Sequence, residues 1–96
     1  MSAATRVGDS NTGHDNYPPV SLNTGSNNVF INGKPAGRLG DNYVMHGCVN
    51  HPSHQGIISS GSSSVFINGR PAGRVGDSVS CGGNVAEGSS NVFIGG

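Results

Sequence analysis

The chain has 96 residues, enough for one small domain, and only 32% of them are hydrophobic. Its formal charge is zero, with five basic and five acidic residues spread along the sequence. This composition argues against nucleic acid or an anionic membrane surface as the ligand, since both need a concentrated basic face. A core this small has to be helped by a disulfide, a metal or a partner.

The sequence contains no run of about 20 apolar residues of the kind that spans a bilayer. It also shows no amino-terminal succession of charged, apolar and small residues. We therefore expect neither a spanning helix nor a signal peptide. If the protein leaves a cell, we expect it to leave by another route.

One segment is written twice and begun a third time. Residues 28–41 read Asn-Val-Phe-Ile-Asn-Gly-Lys-Pro-Ala-Gly-Arg-Leu-Gly-Asp, and residues 64–77 repeat them with Ser, Arg and Val in place of the first Asn, Lys and Leu. Residues 91–96 repeat the opening of this segment, and residues 5–9 repeat its ending. The pattern predicts pseudo-threefold repetition. The three units begin at Arg6, Arg38 and Arg74.

Each copy is predicted to be a β-hairpin. Residues 29–31 are the strong strand formers Val, Phe and Ile, and the Asn32-Gly33 pair after them is typical of a two-residue type I′ turn. Pro35 cannot donate to a ladder, which places the return arm at an edge or a bend. No window has a helical period. We expect one all-β domain over residues 1–96, with short hairpins arranged around a pseudo-threefold axis.

Every His and Cys falls in the segments that connect one hairpin to the next strand. Counted from the Asp that ends each hairpin, His14 and His46 both lie five residues further along, and Cys81 lies four residues further along. Each repeat would therefore deliver one nitrogen or sulfur ligand from an equivalent place. We predict that the three ligands converge on a zinc ion, which needs a fourth for tetrahedral coordination.

Only the middle segment, residues 42–60, has spare candidates for the fourth ligand. His54 lies seven residues before the next Gly-Ser pair, as Cys81 does, and is therefore the first choice. His51 is the alternative to His54, and Cys48 ranks third. The choice between the two histidines stays open at this point.

The predicted zinc would be structural, because a shell of three His and one Cys leaves no open position for a water. Its binding would supply folding free energy that the small core lacks. No arrangement of Ser, His or carboxylates indicates catalysis, so we expect no enzymatic activity. The nearby acidic residues are interpreted as turn residues rather than as partners of the imidazoles; they are Asp9, Asp15, Asp41 and Asp77.

Residues 34–38 and 70–74 read Lys-Pro-Ala-Gly-Arg and Arg-Pro-Ala-Gly-Arg, after Val-Phe-Ile-Asn-Gly and before Gly-Asp. In this context they resemble the Pro-Ala-Ala-Arg motif of PAAR-repeat proteins, which cap the spikes of type VI secretion systems and of contractile phage tails. The resemblance covers essentially the whole chain. Gly37 and Gly73 stand where the motif has Ala.

The resemblance implies a cone whose triangular base seats on a trimeric β-helical spike protein, either VgrG-like or the central spike of a phage. It also implies an apex held by zinc through three His and one Cys, with iron as an alternative metal. Carried onto this chain, the ligands are His14, His46, one of His51 or His54, and Cys81. The implied function is mechanical: a rigid, sharp tip that helps the spike to puncture the envelope of a target cell.

Such a protein is expected in the cytoplasm until assembly, and then outside the cell with the spike or at the tail tip of a virion. An effector would be a separate, non-covalent passenger. A three-chain β-helix ends in three equivalent strand edges, and three near-identical strands in one chain can meet all of them.

The predicted docking surface consists of the three short strands of the repeats. Alternation places the Phe of each strand on the opposite face from the Val and Ile, and we favour the Phe face for the partner. The residues assigned to this surface are Val29, Phe30, Ile31, Val65, Phe66, Ile67, Val92, Phe93 and Ile94.

Two other classes of protein fit parts of the sequence. One is a free-standing zinc-binding interaction module with no affinity for spike proteins. The other is a small secreted binding domain stapled by a disulfide between Cys48 and Cys81, as is natural in an oxidising compartment. The disulfide leaves the matched positions of the histidines unexplained.

Overall fold

The computed structural model describes residues 1–13, 18–44, 46–48 and 51–96, with only the backbone of 46–48 and 51–54. Within these residues the fold is all-β without a helix, as predicted, and its principal-axis extents are 38 × 23 × 23 Å. The strands pair into the two-stranded antiparallel ribbons β1–β8, β2–β3, β4–β5 and β6–β7. Their bounds are β1 Ser2–Ala3, β2 Phe30–Ile31, β3 Lys34–Pro35, β4 His46–Cys48, β5 His51–His54, β6 Phe66–Ile67, β7 Arg70–Pro71 and β8 Phe93–Ile94.

The predicted type I′ turns are confirmed in both complete hairpins. Asn32 and Gly33 join β2 to β3 with φ angles of 54° and 78°, and Asn68 and Gly69 join β6 to β7 with the same two values. Positive φ at both central residues defines this turn and accounts for the Asn-Gly sequence.

The third ribbon is built from the two ends of the chain. Strand β1 pairs with β8 so that Ser2 lies opposite Ile94 and Ala3 opposite Phe93. In the β2–β3 ribbon, Lys34 and Pro35 occupy the places of Ser2 and Ala3. The third copy, which looks truncated in the sequence, is therefore completed by the first residues of the chain.

The ribbons β1–β8, β2–β3 and β6–β7 close into a ring, which we call the base. Bridges join Arg6 to Ala36, Arg38 to Ala72 and Arg74 to Ala4, so each ribbon is joined to the next. Nearer the axis, three backbone hydrogen bonds repeat this cycle: Gly37 N donates to Thr5 O at 2.9 Å, Gly73 N to Gly37 O at 2.9 Å, and Thr5 N to Gly73 O at 3.2 Å. The base buries a core of three Ile and three Ala, which are Ile31, Ile67, Ile94, Ala4, Ala36 and Ala72.

The three hydrogen bonds nearer the axis join Thr5, Gly37 and Gly73, and only Thr5 has a side chain. Thr5 is fully buried, and its Cγ2 would lie 2.8 Å from a Cβ on Gly37 and 3.1 Å from a Cβ on Gly73. The departure from the motif at these glycines thus has a steric cause: the Thr5 methyl fills the space that two Ala residues would use.

Replacement of Gly73 by Ala should cost about 1–3 kcal/mol of stability, because the new Cβ is overpacked against Thr5 and Ile58. Thr5→Ser removes Cγ2 and keeps the hydroxyl that donates to Glu87 O at 2.9 Å. Urea unfolding of both single variants and the double variant should show that Thr5→Ser recovers part of the Gly73→Ala cost. If the two costs simply add, the steric explanation is wrong.

Each Gly-Asp exit is a turn locked by an Arg three residues earlier. In the first repeat, Asp9 accepts from Arg6 N at 2.9 Å, Nε at 2.8 Å and Nη2 at 3.1 Å, and Asp9 N donates back to Arg6 O at 3.0 Å. The hydrogen bonding between the two side chains raises the pKa of Arg6 above its ordinary value. The same fork joins Arg38 to Asp41 and Arg74 to Asp77. The interpretation of these three Asp residues as turn residues is confirmed, and Asp15 lies outside the described residues.

Beyond these turns lies a second ring, which we call the upper ring. It is made of six segments that the sequence does not predict to form a layer. Its inward side chains are all buried: Asn11, Leu22, Tyr43, Ile58, Val79 and Val85. Antiparallel bridges close it, from Asn11 to Val85, Asn84 to Ser78, Val79 to Ile58, Ile57 to Asn42, Tyr43 to Leu22 and Ser21 to Ser10. Bridges of one residue leave no periodicity in a sequence, which is why this layer was missed.

The upper ring contains a buried hydroxyl without a hydrogen-bond partner in the described structure, that of Tyr43. Burial raises the pKa of Tyr43 well above its ordinary value, so the phenol stays neutral. Tyr43→Phe should raise the free energy of unfolding by about 1 kcal/mol, because it removes a polar group that was desolvated without compensation. Thermal and urea melts test this, with Tyr43→Ala as a control that should lose about 3–5 kcal/mol. A destabilised Phe variant would show that the hydroxyl has a partner.

Candidate metal centre and docking face

The segments that carry the predicted ligands leave the upper ring at the same end of the molecule. Tyr43 N donates to Gly56 O at 2.9 Å, and this bond joins the chain before β4 to the chain after β5. On the next segment, Cys81 lies in a turn closed by a hydrogen bond of 3.0 Å from Gly82 N to Val79 O. Its Sγ would lie only 2.7 Å from a Cβ on Gly56. Cys81 therefore packs beside the chain two residues after His54.

The first segment meets the third at two glycines. A Cβ on Gly83 would collide with Gly13 O and would lie 2.7 Å from Thr12 Oγ1. Thr12 N also donates to Asn84 O at 2.9 Å. The backbone next to His14 is thus fixed against the turn that carries Cys81. All three ligand-bearing segments are therefore anchored side by side.

The middle segment contains a hairpin that the sequence does not predict, formed by β4 and β5. Its backbone register pairs His46 with His54 and Cys48 with His51, with an irregularity between His46 and Cys48. His46 and His54, the two ligands preferred from this segment, are thus cross-strand neighbours. Directly opposed positions in an antiparallel pair are the closest available across two strands.

Cys81 is the one predicted ligand whose side chain is described. It is partly buried against the apolar side chains of the upper ring, and this burial raises the pKa of its thiol. His14 and the side chains of His46, Cys48, His51 and His54 lie outside the described residues. Among the residues that are described, no three His, Cys, Asp or Glu side chains form a group able to hold a metal. The ligand set and the Cys48 to Cys81 disulfide both stay predictions.

At the opposite end, the base exposes one Phe from each ribbon. The exposed fractions of Phe30, Phe66 and Phe93 are 56%, 57% and 52%. Their neighbours Ile31, Ile67 and Ile94 are buried, so the predicted alternation between the Phe and Ile faces is confirmed.

The other residues of the predicted docking surface are divided between surface and core. Val29 and Val65 are each 37% exposed, and Val92 packs partly against the base core. Because the Ile side chains are covered within the chain, only the Phe and, in part, the Val side chains are free to touch another molecule. Pro35 and Pro71 lie opposite Phe30 and Phe66 and widen this apolar surface, a contribution that the sequence analysis missed.

Residues 50–96 match the family model of the PAAR motif. This part of the chain is similar to PAAR-repeat proteins. The resemblance predicted from the sequence is confirmed, and it supports a role at the spike tip of a contractile injection system. The matched region contains β5 to β8, and with them His51, His54 and Cys81, whereas His14 and His46 precede it. No curated protein matches the chain.

The described residues contain no helix that is both long and apolar enough to cross a lipid bilayer.

Proposed function

We propose that this chain is the tip of the spike of a contractile injection machine, in a type VI secretion system or a phage tail. In this role it caps a trimeric β-helical spike protein and helps it to puncture the target cell envelope. The observation that carries the proposal is the base itself, where one chain presents three almost equally exposed Phe side chains around a closed ring. Such a face matches a receptor with three equivalent parts.

Docking at the base is driven by apolar burial. Phe, Val and Pro side chains make up the apolar part of the exposed strands, which also carry the exposed cations Lys34 and Arg70. The charges of the Arg and Asp residues at the Gly-Asp turns are satisfied within the chain. Phe30 and Phe66 also lie opposite prolines, in the non-hydrogen-bonded pairs of their hairpins. In such a pair the backbone N–H and C=O groups of the Phe point away from the partner strand. A strand of the partner can therefore add to the edge of each ribbon.

The apex is proposed to hold one structural zinc ion through His14, His46, His54 and Cys81, with His51 as the alternative to His54. Three observations support this set: the three segments are anchored side by side, His46 and His54 are cross-strand partners, and Cys81 lies beside the end of β5. A thiolate and imidazoles suit zinc, and iron is the second choice. When bound, the ion would tie the apex together and make it resist deformation.

The protein is proposed to act without catalysis, to assemble in the cytoplasm, and to leave with the spike or remain at a virion tail tip. The test is to mix the purified chain with a trimeric β-helical spike protein and measure the mass of the complex. We expect one chain per trimer, at an affinity that salt changes little. A spike trimer that lacks its terminal strands is the matched control and should not bind. Failure to bind any intact spike end would refute the tip function and favour a free-standing zinc module.

A further inference from the structure

Asn32 holds neighbouring repeats together at the base. Its Oδ1 accepts hydrogen bonds from Arg6 Nη1 at 2.8 Å and from Ser89 Oγ at 2.6 Å. Its Nδ2 donates to Asn91 Oδ1 at 2.9 Å. Arg6 follows β1, and Ser89 and Asn91 precede β8, so all three partners flank the neighbouring β1–β8 ribbon. We call this set of contacts the Asn32 clasp.

Asn68 forms an equivalent set, the Asn68 clasp. Its Oδ1 accepts from Arg38 Nη1 at 3.0 Å and from Ser26 Oγ at 2.6 Å, and its Nδ2 donates to Asn28 Oδ1 at 2.8 Å. The third equivalent position is Gly95, which has no side chain. Here Ser62 Oγ donates to the main-chain oxygen of Gly95 at 2.6 Å.

Both clasp asparagines are followed by glycine, and these are the only Asn-Gly pairs in the chain. The backbone nitrogen after an Asn can attack the side-chain carbonyl carbon, and glycine hinders this least because it has no Cβ. Both glycines also face open space, since a Cβ on Gly33 or Gly69 would meet nothing within 4 Å. The two Asn residues therefore combine a chemically susceptible sequence with an exposed turn.

The reaction needs no reagent other than water. A bond forms between the glycine nitrogen and Cγ of the Asn, the bond from Cγ to Nδ2 breaks, and ammonia leaves with the proton of the glycine nitrogen. Water then opens the resulting succinimide ring at either of its carbonyls. One opening yields aspartate, and the other yields isoaspartate, in which the backbone runs through the side chain.

The native turn opposes ring closure. Closure requires Cγ and the glycine nitrogen on the same side of the Cα–C bond, whereas a type I′ turn has ψ of about +30° at its first residue and holds them apart. The clasp adds a second restraint, because three hydrogen bonds hold each side-chain amide away from the turn.

We propose that Asn32 and Asn68 are sites of spontaneous deamidation and that the clasps set its rate. This inference does not rest on the spike-tip function. Aspartate at position 32 could still accept from Arg6 and Ser89, but it could not donate to Asn91. Isoaspartate would lengthen a two-residue turn by one backbone carbon and so displace the pair formed by Phe30 and Pro35.

The test follows deamidation at each site by peptide mass analysis during incubation of the intact chain at mildly alkaline pH. The reference is a synthetic peptide covering the same turn. We expect both sites to react in the folded protein, and more slowly than in the peptide. Asn91→Ala removes the acceptor of Asn32 and should accelerate that site alone by about fivefold, as expected for one lost hydrogen bond. Asn28→Ala is the matched variant and should accelerate Asn68 alone.

A second pair of variants covers the possibility that these substitutions act through folding. Ser89→Ala and Ser26→Ala remove the hydroxyl donor of one clasp each and should show the same site selectivity. Equal acceleration of both sites by any one variant would indicate general loss of stability and would overturn the inference. Rates in the wild-type protein equal to those of the peptides, or no reaction at either site, would overturn it too.

Discussion

The proposed zinc site predicts that removal of the metal from the purified chain lowers its thermal stability drastically and unfolds it at moderate temperature. In small zinc domains the binding free energy, about 10 kcal/mol or more, is folding free energy, and this chain has little core to replace it. Cys81→Ser and His46→Ala should each cost several kcal/mol for the same reason. The measurement is denaturant unfolding with and without a chelator, together with the zinc content of the protein.

The same experiment decides the fourth ligand. If His54 binds the metal, His54→Ala should resemble Cys81→Ser, and His51→Ala should change the unfolding free energy by less than about 1 kcal/mol, as an ordinary surface substitution does. The reverse order would assign His51. The chelator should destabilise Cys81→Ser less than it destabilises the unsubstituted chain. A chain that holds no metal and loses its structure on reduction would establish the disulfide between Cys48 and Cys81 instead.

Single replacement of Phe30, Phe66 or Phe93 by Ala should weaken binding to a spike trimer by about 2–4 kcal/mol, the loss typical of an aromatic anchor at an interface. We expect the three losses to be similar, because the three side chains are exposed to nearly the same extent. The stability of the free chain should hardly change, since each ring is more than half exposed. Titration calorimetry and thermal melts measure the two quantities separately.

Matched controls for the Phe variants are available on the other layer of the molecule. Val44 and Ile57 are exposed apolar residues of the upper ring, 44% and 39% accessible, and lie away from the base. Val44→Ala and Ile57→Ala should leave the affinity for the spike unchanged. Loss of binding in the controls, with intact binding in the Phe variants, would move the docking surface from the base to the upper ring.

The hairpins of the base were predictable because their signals are local. A Val-Phe-Ile strand followed by Asn-Gly is a strong local signal for a type I′ hairpin, and the positive φ angles of Asn32 and Asn68 agree with it. The exposure of Phe30 beside the buried Ile31 follows from the alternation of side chains along a strand. The Gly-Asp turns could also be predicted from the sequence, but the hydrogen bonds from the Arg to the Asp of each turn could not.

For the candidate metal centre, the sequence supplied the residue types and the spacing, and the fold supplied only the placement of the segments. The cross-strand pairing of His46 with His54 was not predicted, because nothing in the sequence around them indicates a strand. Strands of three and four residues that contain His, Gly and Pro show no alternation. The proximity of Cys81 to Gly56 depends on a contact between distant parts of the chain and has no signature in either segment.

The sequence alone determined that this protein consists of repeated β-hairpins with Phe on one face, because turn chemistry and side-chain alternation act over a few residues. Tertiary structure decided how the repeats close. Only in three dimensions does Ser2–Ala3 complete the third ribbon, and only there does Thr5 meet Gly37 and Gly73 at the axis. Ring closure joins residues that are far apart in the chain, and their fit depends on the volume left at the axis, which no local pattern records.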